Sequence, residues 1–282
     1  MSSLRGGLRR VVGRLHWLHL SRAALALIAL AALNNLLGYG RDIVLAAWYG
    51  ASPHTDAFLV GSYVPLLIHQ VIVVGSLTPA FLPVLVQTGA RGSAGEAARW
   101  RLVQVTAALA AGSALPLAAL LWLWAPEVVA AIAPGLVAGT QAEAVTVLQA
   151  SLPLVLCTAP AGVLAAALNY HGRFVAPLLG AAAANAGVIL GLLFAGPADG
   201  IQGAALGMSA GGAAGLLIAS AAVAQLGGGQ RRVTPVSADS RVEVWAGVRR
   251  TALLGLPLLA TVGLAHLIGL IERFLSSNLP AG

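Results

Sequence analysis

Apolar runs dominate the chain, and polar residues fall between them rather than alternating with them. A bilayer-spanning helix takes about 20 mostly apolar residues. Seven runs meet that length, near 22–49, 55–88, 100–124, 143–168, 175–195, 200–225 and 246–275. A further apolar piece, 126–139, is short and carries Pro126, Pro134 and Gly135. It is expected as an outer loop or a half-embedded hairpin, because proline and glycine interrupt helices. Residues 1–21 differ: Leu4, Leu8, Val11, Leu15 and Leu18 recur at helical spacing among Arg5, Arg9, Arg10 and Arg14. That spacing predicts a basic amphipathic segment on the cytoplasmic membrane surface, with a cleaved leader as the competing reading. The order predicted is this segment, a six-helix lobe over 22–226, a cytoplasmic basic loop over 227–245, and a seventh helix within 246–282, after which the chain ends early. The predicted fold class is all-α, a polytopic transmembrane helix bundle.

Composition supports the spans. Of 282 residues, 59% are hydrophobic and 9% charged, and mean hydropathy is +0.88; a soluble domain carries about 25% charged residues. The net charge of +7 comes from sixteen arginines and no lysine. A basic balance can signal nucleic acid, but here the arginines occupy short connections between apolar runs. With the N-terminus inside, the inner face holds Arg5 to Arg22, Arg91, Arg99, Arg101, Arg173, Arg231, Arg232, Arg241, Arg249 and Arg250. The outer face holds Asp56, Glu127, Glu143 and Asp199. Fourteen of the sixteen arginines then share one side, all but Arg41 and Arg273. That asymmetry predicts a multi-pass inner-membrane protein with its N-terminus cytoplasmic and its C-terminus external, and excludes a nucleic-acid partner. The lone cysteine, Cys157, lies in an apolar run and gives no disulfide framework. There is no HExxH, phosphate-binding loop or Cys/His cluster, so neither enzyme chemistry, metal nor cofactor is expected.

The chemistry concentrates between residues 33 and 85. Arg41 and Asp42 sit inside the first run with apolar residues on both sides. An ionised side chain at bilayer depth costs at least about 2.5 kcal/mol, so it marks a cavity, a partner or a function. Two readings stand. The residues can form a structural ion pair, or Arg41 can face a cavity and bind a phosphate, which its permanently charged fork suits. On a helix the two side chains project about 100° apart, so they need not face the same partner. Asp56 follows Thr55 at the start of the second run, where a helix dipole favours an acid. That run is broken by Pro65, Gly75, Pro79 and Pro83. Gly203, Gly207, Gly211 and Gly215 recur every four residues in the sixth run and predict a bare helix face for close packing. The face can serve packing inside the bundle or a homodimer.

The order LLGYGRD, WYGASPHTDAF and GSLTPAFLPVL resembles the opening of the MurJ/MviN lipid II flippases, within the multidrug/oligosaccharidyl-lipid/polysaccharide (MOP) exporter superfamily. IAPG at Ile132–Gly135, LNYHGRF at Leu168–Phe174 and IERFLSSNLPAG at Ile271–Gly282 fit the same pattern. The resemblance implies a MOP/MATE-like N-terminal lobe plus the first helix of a second lobe. It implies translocation of a polyprenyl-pyrophosphate-linked saccharide, the peptidoglycan precursor lipid II, across the inner membrane, with membrane lipid around it. It also implies a functional arginine at Arg41, beside Asp42, and a functional aspartate at Asp56 near an outer gate. The chain departs from the family where Asn34 and Asn35 replace Ser-Arg and where His69 and Gln70 replace basic residues. Asn35, His69 and Gln70 can donate hydrogen bonds, but neutral donors hold phosphate more weakly than arginine. Two other readings remain: a different MOP-type exporter of exopolysaccharide lipid or drug, and a non-transporting membrane scaffold. The family's greater length implies a possible C-terminal half as partner, beside the homodimer option.

Overall fold

The computed structural model describes residues 2–88, 92–226 and 238–276, and the regular elements among them are all helical. Seven stretches are long and apolar enough to cross a membrane: Ala24–Tyr49, Pro53–Thr88, Gly95–Leu123, Ala138–Tyr170, Val175–Gly196, Gly200–Gln225 and Val242–Leu275. The chain is an all-α, multi-pass membrane protein.

Helix α1 runs unbroken over Ser2–Tyr49, so the basic segment expected over 1–21 is continuous with the first span rather than a piece apart. A tight turn at Gly50, with φ of 55°, leads to the second span. That span is composite: α2 (Pro53–Gly61), α3 (Tyr63–Ile68), a π-helix (His69–Leu77) and α4 (Thr78–Thr88). Its prolines supply the physical cause. Pro65, Pro79 and Pro83 each lack an N–H and crowd the carbonyl four residues back. Just before Pro79 the ladder widens, and the Thr78 N–H reaches Val73 rather than Val74. π-helical turns are rare and concentrate at functional sites.

Helix α5 spans Gly92–Leu123, and the short α6 spans Ala125–Ile132. The piece expected as a loop or hairpin over 126–139 is thus a two-turn helix in its first half and a turn in its second, with Ala125, Val129 and Ala133 buried beneath α7. Helix α7 starts at Ala138, not near 143, and ends at Tyr170. It is the central post: it contributes Leu154 to one apolar cluster, Val163 to a second, Leu148 to a third and Val155 to a fourth. Its most apolar window is 61% buried, against 6% for the last span. The remainder of the bundle is therefore hung on α7, and the last helix sits at the edge.

Helix α8 (Val175–Gln225) holds two spans joined across Gly196, where φ is 74° and ψ 177°. The arms fold back on each other along a glycine seam. Gly203 faces Gly191, Gly207 faces Gly187 and Gly191, Gly211 faces Ala183 and Ala184, and Gly215 faces Gly180. Side chains of ordinary size would hold these backbones apart.

Helix α9 spans Ala238–Ser276. Of the basic loop expected over 227–245, residues 227–237 lie outside the described ones, as do 277–282, while 238–245 are the helix's first turns. ADSRVEVW is polar but compatible with helix, and hydropathy detects the bilayer, not the helix that projects beyond it. Helix α9 docks on the π-helix. Ser76 Oγ donates to the Gly255 carbonyl at 2.9 Å, and a Cβ on Gly75 would lie 2.7 Å from Val262 Cγ1.

Candidate functional site

Residues four and seven apart share a helix face. On α1 that rule aligns Asn34, Gly38, Arg41 and Leu45, and the stripe packs against the first arm of α8. Leu45 is buried in a cluster with Val188 and Leu192. Gly38 lies beside the Asn185 amide, which is 4.0 Å from where a Cβ would be. Arg41 lies eight residues before Tyr49, so its Cα is about 12 Å from that end of the span.

A polar network fills this interface. Arg41 Nε donates to Asp42 Oδ1 at 2.9 Å, and its Nη2 lies 2.8 Å from the same oxygen. Arg41 Nη1 donates to Asn185 Oδ1 at 3.4 Å. Asn185 Nδ2 in turn donates to Asn34 Oδ1 at 3.2 Å. Arg41 and Asp42 thus meet as an ion pair, one of the two arrangements open to them from the sequence. The long arginine side chain bends back, so the guanidinium meets the carboxylate despite the angle between their Cα–Cβ bonds. The Arg41 side chain keeps 28% of its surface exposed and that of Asp42 59%. Five N–H groups fan out from a guanidinium, and the three bonds made leave donors on both terminal nitrogens.

The other predicted positions are dispersed. Asn35 is exposed, and its neighbour Asn34 takes the place in the network. Asp56 is exposed in the first turn of α2, where its charge faces the positive end of the helix. His69 opens the π-helix, half-buried, with a buried Nδ1 that has no hydrogen-bond partner among the described residues. Gln70, next to it, is exposed. No described hydrogen bond or ion pair joins Arg41 to Asn35, Asp56, His69 or Gln70.

Sequence reasoning missed four features. Asn185 carried a signal, since a lone amide within AAAANAGV is a polar group at bilayer depth. His54 pairs with Glu143 at 2.8 Å, tying the start of α2 to the start of α7. At the far end of α9, the Arg273 guanidinium lies 3.8 Å from the centre of the Tyr63 ring, and Tyr63 Oη donates to the His266 carbonyl at 3.3 Å. At the opposite end of the bundle, His171 stacks on Trp100 at 5.4 Å and meets the Tyr170 ring edge-on. Partial burial, reinforced by the charges of Arg99 and Arg173 against the opposing Glu96, pushes the His171 imidazole below its usual range.

Comparison with known proteins gives a consistent result. The family profile described as lipid II flippase MurJ matches residues 45–282. That range contains Asp56, His69 and Gln70 and begins just after Arg41 and Asp42. The lipid II flippase MurJ of Burkholderia cenocepacia is 28% identical over 182 residues, covering 64% of this chain and 35% of that protein. A probable lipid II flippase MurJ of Buchnera aphidicola subsp. Acyrthosiphon pisum is 31% identical over 70 residues, 25% of this chain and 14% of that protein. The fold matches the solved structure of a lipid II flippase MurJ in an inward closed conformation, with TM-score 0.71 at 15% identity. That match covers 91% of this chain and 51% of the other. The chain thus spans about half or less of the length of the relatives it matches.

Proposed function

Since the chain belongs to the lipid II flippase MurJ family, its profile matching residues 45–282, we propose that it serves to translocate a polyprenyl-pyrophosphate-linked saccharide, of the lipid II type, across the inner membrane. The observation that carries this reading is Arg41: a cation about 12 Å inside an apolar span, held at one side by Asp42 and Asn185, with guanidinium donors left over. An uncompensated pyrophosphate in a low-dielectric cavity is prohibitive, and a bidentate arginine is the side chain that best offsets it. Asp42 tempers the charge and fixes the fork's orientation. Asp56 and His69 are secondary contacts in this proposal, with Asn35 and Gln70 as further neutral donors.

The N-terminus is cytoplasmic in this proposal, on the strength of the arginine distribution. The unit that moves substrate includes a second helical lobe, because the chain covers only 51% of the solved relative and transport by rocking needs two repeats. A homodimer through Gly203, Gly207, Gly211 and Gly215 is the weaker option, since that face already meets the other arm of α8. A second reading, export of another amphiphile by the same fold, draws on neutral His69 and Gln70 where the family resemblance implies cations.

The test is Arg41→Ala in the complete transporter, scored for growth of a flippase-depleted strain and for protein amount. Growth should fail with protein amount unchanged, and Arg41→Lys should recover it only in part, because a point charge lacks the fork. Normal growth with Arg41→Ala sinks the phosphate-binding role. If protein amount falls with growth, the exchanged pair Arg41→Asp with Asp42→Arg decides the matter: recovery of both means a purely structural pair.

A further inference from the structure

Between the second, third and seventh spans lies a cavity of about 610 Å³, bounded by the π-helix, α5, α7 and α9. It belongs to none of the groups around Arg41. Along α5 it runs from Thr106 to Leu117, and along α9 from Val248 to Leu259, with Val155 of α7 as its floor. Each wall is thus twelve residues, about 16 Å from first to last Cα at helical rise. One leaflet of hydrocarbon, half of a 30 Å core, is about 15 Å deep. The lining is apolar except for four hydroxyls. Ser76, Ser113 and Thr251 donate to the carbonyls of Gly255, Ala110 and Gly247. Thr106 is 6% exposed, and its Oγ1 is buried without a partner among the described residues. Leu109 and Leu256 are exposed along the opening among the described residues.

The two ends of the cavity differ. Just beyond Thr106 and Val248, α5 and α9 touch where a Cβ on Gly247 would lie 3.0 Å from Leu102 Cδ1. Exposed Arg101, Arg249 and Arg250 lie near that contact in sequence, and exposed Trp245 stands two residues before Gly247. Arg99 points inward there, donating to the Leu85 carbonyl at 3.2 Å. Glu96 and Glu243 share this end, so it remains net positive. Tryptophan and arginine at one level mark the headgroup boundary of a bilayer.

We propose that this cavity binds one acyl chain of an anionic phospholipid from the leaflet on the arginine-rich side. Its headgroup lies against Arg249, which flanks the lining face of α9, and Thr106 Oγ1 donates to the ester carbonyl at the head of the chain. Volume and depth select the occupant. At about 30 Å³ per water-sized group, 610 Å³ holds roughly twenty groups, one acyl chain and far less than a long polyprenyl tail. The hydroxyl without a partner sits at the end where an ester must lie. Basic pockets between spans on the arginine-rich side take acidic lipids in general. The site is separate from Arg41 and stands whatever the chain transports.

The test is photolabelling of the purified 282-residue chain in lipid nanodiscs, with adducts mapped by mass spectrometry. The probes are phosphatidylglycerol carrying a diazirine near the end of one ester-linked chain, its phosphatidylcholine counterpart, its diether analogue and a diazirine-bearing polyprenyl phosphate. Adducts should concentrate in 106–117 and 248–259, with phosphatidylglycerol ahead of phosphatidylcholine by at least about fivefold, the share of a single arginine. Arg249→Ala should erase that preference. Ala110→Trp should abolish these adducts while labelling of Ala24–Tyr49 persists. Thr106→Val, a near-isosteric change that keeps the fold if the tryptophan does not, should equalise the ester and ether lipids. Uniform labelling of every lipid-facing span, or labelling that survives Ala110→Trp in folded protein, overturns the site. Stronger labelling by polyprenyl phosphate overturns the assignment to phospholipid.

Discussion

Two glycine-to-alanine changes with the same chemistry should move stability in opposite directions. A Cβ on Gly207 would fall against the Gly187 carbonyl oxygen, 2.8 Å from its carbon and 3.0 Å from Gly191 Cα. Ordinary carbon contacts begin near 3.5 Å, and the obstructing atoms are backbone, which cannot turn aside as a side chain can. The arms must separate by about an ångström along the seam, and neighbouring glycine contacts loosen with them. Overpacking of a tight core costs about 1–3 kcal/mol, and Gly207→Ala belongs in the upper half of that range. Gly112 on α5 has nothing within 4 Å of the same added atom. There Gly112→Ala removes backbone freedom from the unfolded chain and should add about 0.5–1 kcal/mol. Thermal unfolding in one detergent, followed by near-ultraviolet dichroism, measures both. A Gly207→Ala protein as stable as Gly112→Ala would refute the packing argument and would mean that the arms of α8 do not meet as described. Gly207→Leu with Gly211→Leu should go further and lower folded yield.

Further outcomes follow from other parts of the bundle. A topology reporter placed after Arg99 or Arg232 should read cytoplasmic and one after Asp199 periplasmic; reversal at any of the three removes the orientation proposed above. His171 has a folded pKa below its unfolded value, so its neutral form supports the fold. That support is complete above about pH 6.5, the unfolded value, and is lost as pH falls through the lower folded value. Acidification from neutral pH should therefore lower the melting temperature of the wild type more than that of His171→Phe. Ser76→Ala removes the bond to Gly255 that fastens α9 to the π-helix. It should cost about 0.5–1 kcal/mol, in line with hydrogen bonds between membrane spans.

The spans were legible because a bilayer imposes one requirement, length of apolar helix, that hydropathy reads directly. The turn after Tyr49, the break at Gly196 and the glycine repeat were written in residues with few alternatives. What escaped was local geometry set by the neighbour across the interface. The widening of the second span into a π-helix needs Pro79 together with α9 pressed against Gly75, and only the first is visible in the string. Arg41 was legible as a charge in the wrong solvent. Its pairing with Asp42 was one of two arrangements open from the sequence, and side-chain reach across about 100° of helix brings the two together. Asn185, 144 residues away, meets Arg41 only through the packing of α1 on α8. The start of the last helix escaped for a different reason, since Asp239, Arg241 and Glu243 are polar and extend the helix beyond the apolar stretch that hydropathy detects.

The seam inside α8 has an entropic consequence. Most helix pairs freeze side-chain rotamers as they dock, at up to about 1.5–2 kcal/mol for long side chains, whereas glycine has none to freeze. The arms Val175–Gly196 and Gly200–Gln225 bring backbone against backbone, and each backbone is already ordered once its helix exists in lipid. Glycine's penalty falls on helix formation, a step that the bilayer drives on its own because bare peptide groups cannot stay unbonded there. When the two arms meet, the contact energy is opposed by rigid-body freedom alone, and a connection of a few residues around Gly196 has already removed most of that.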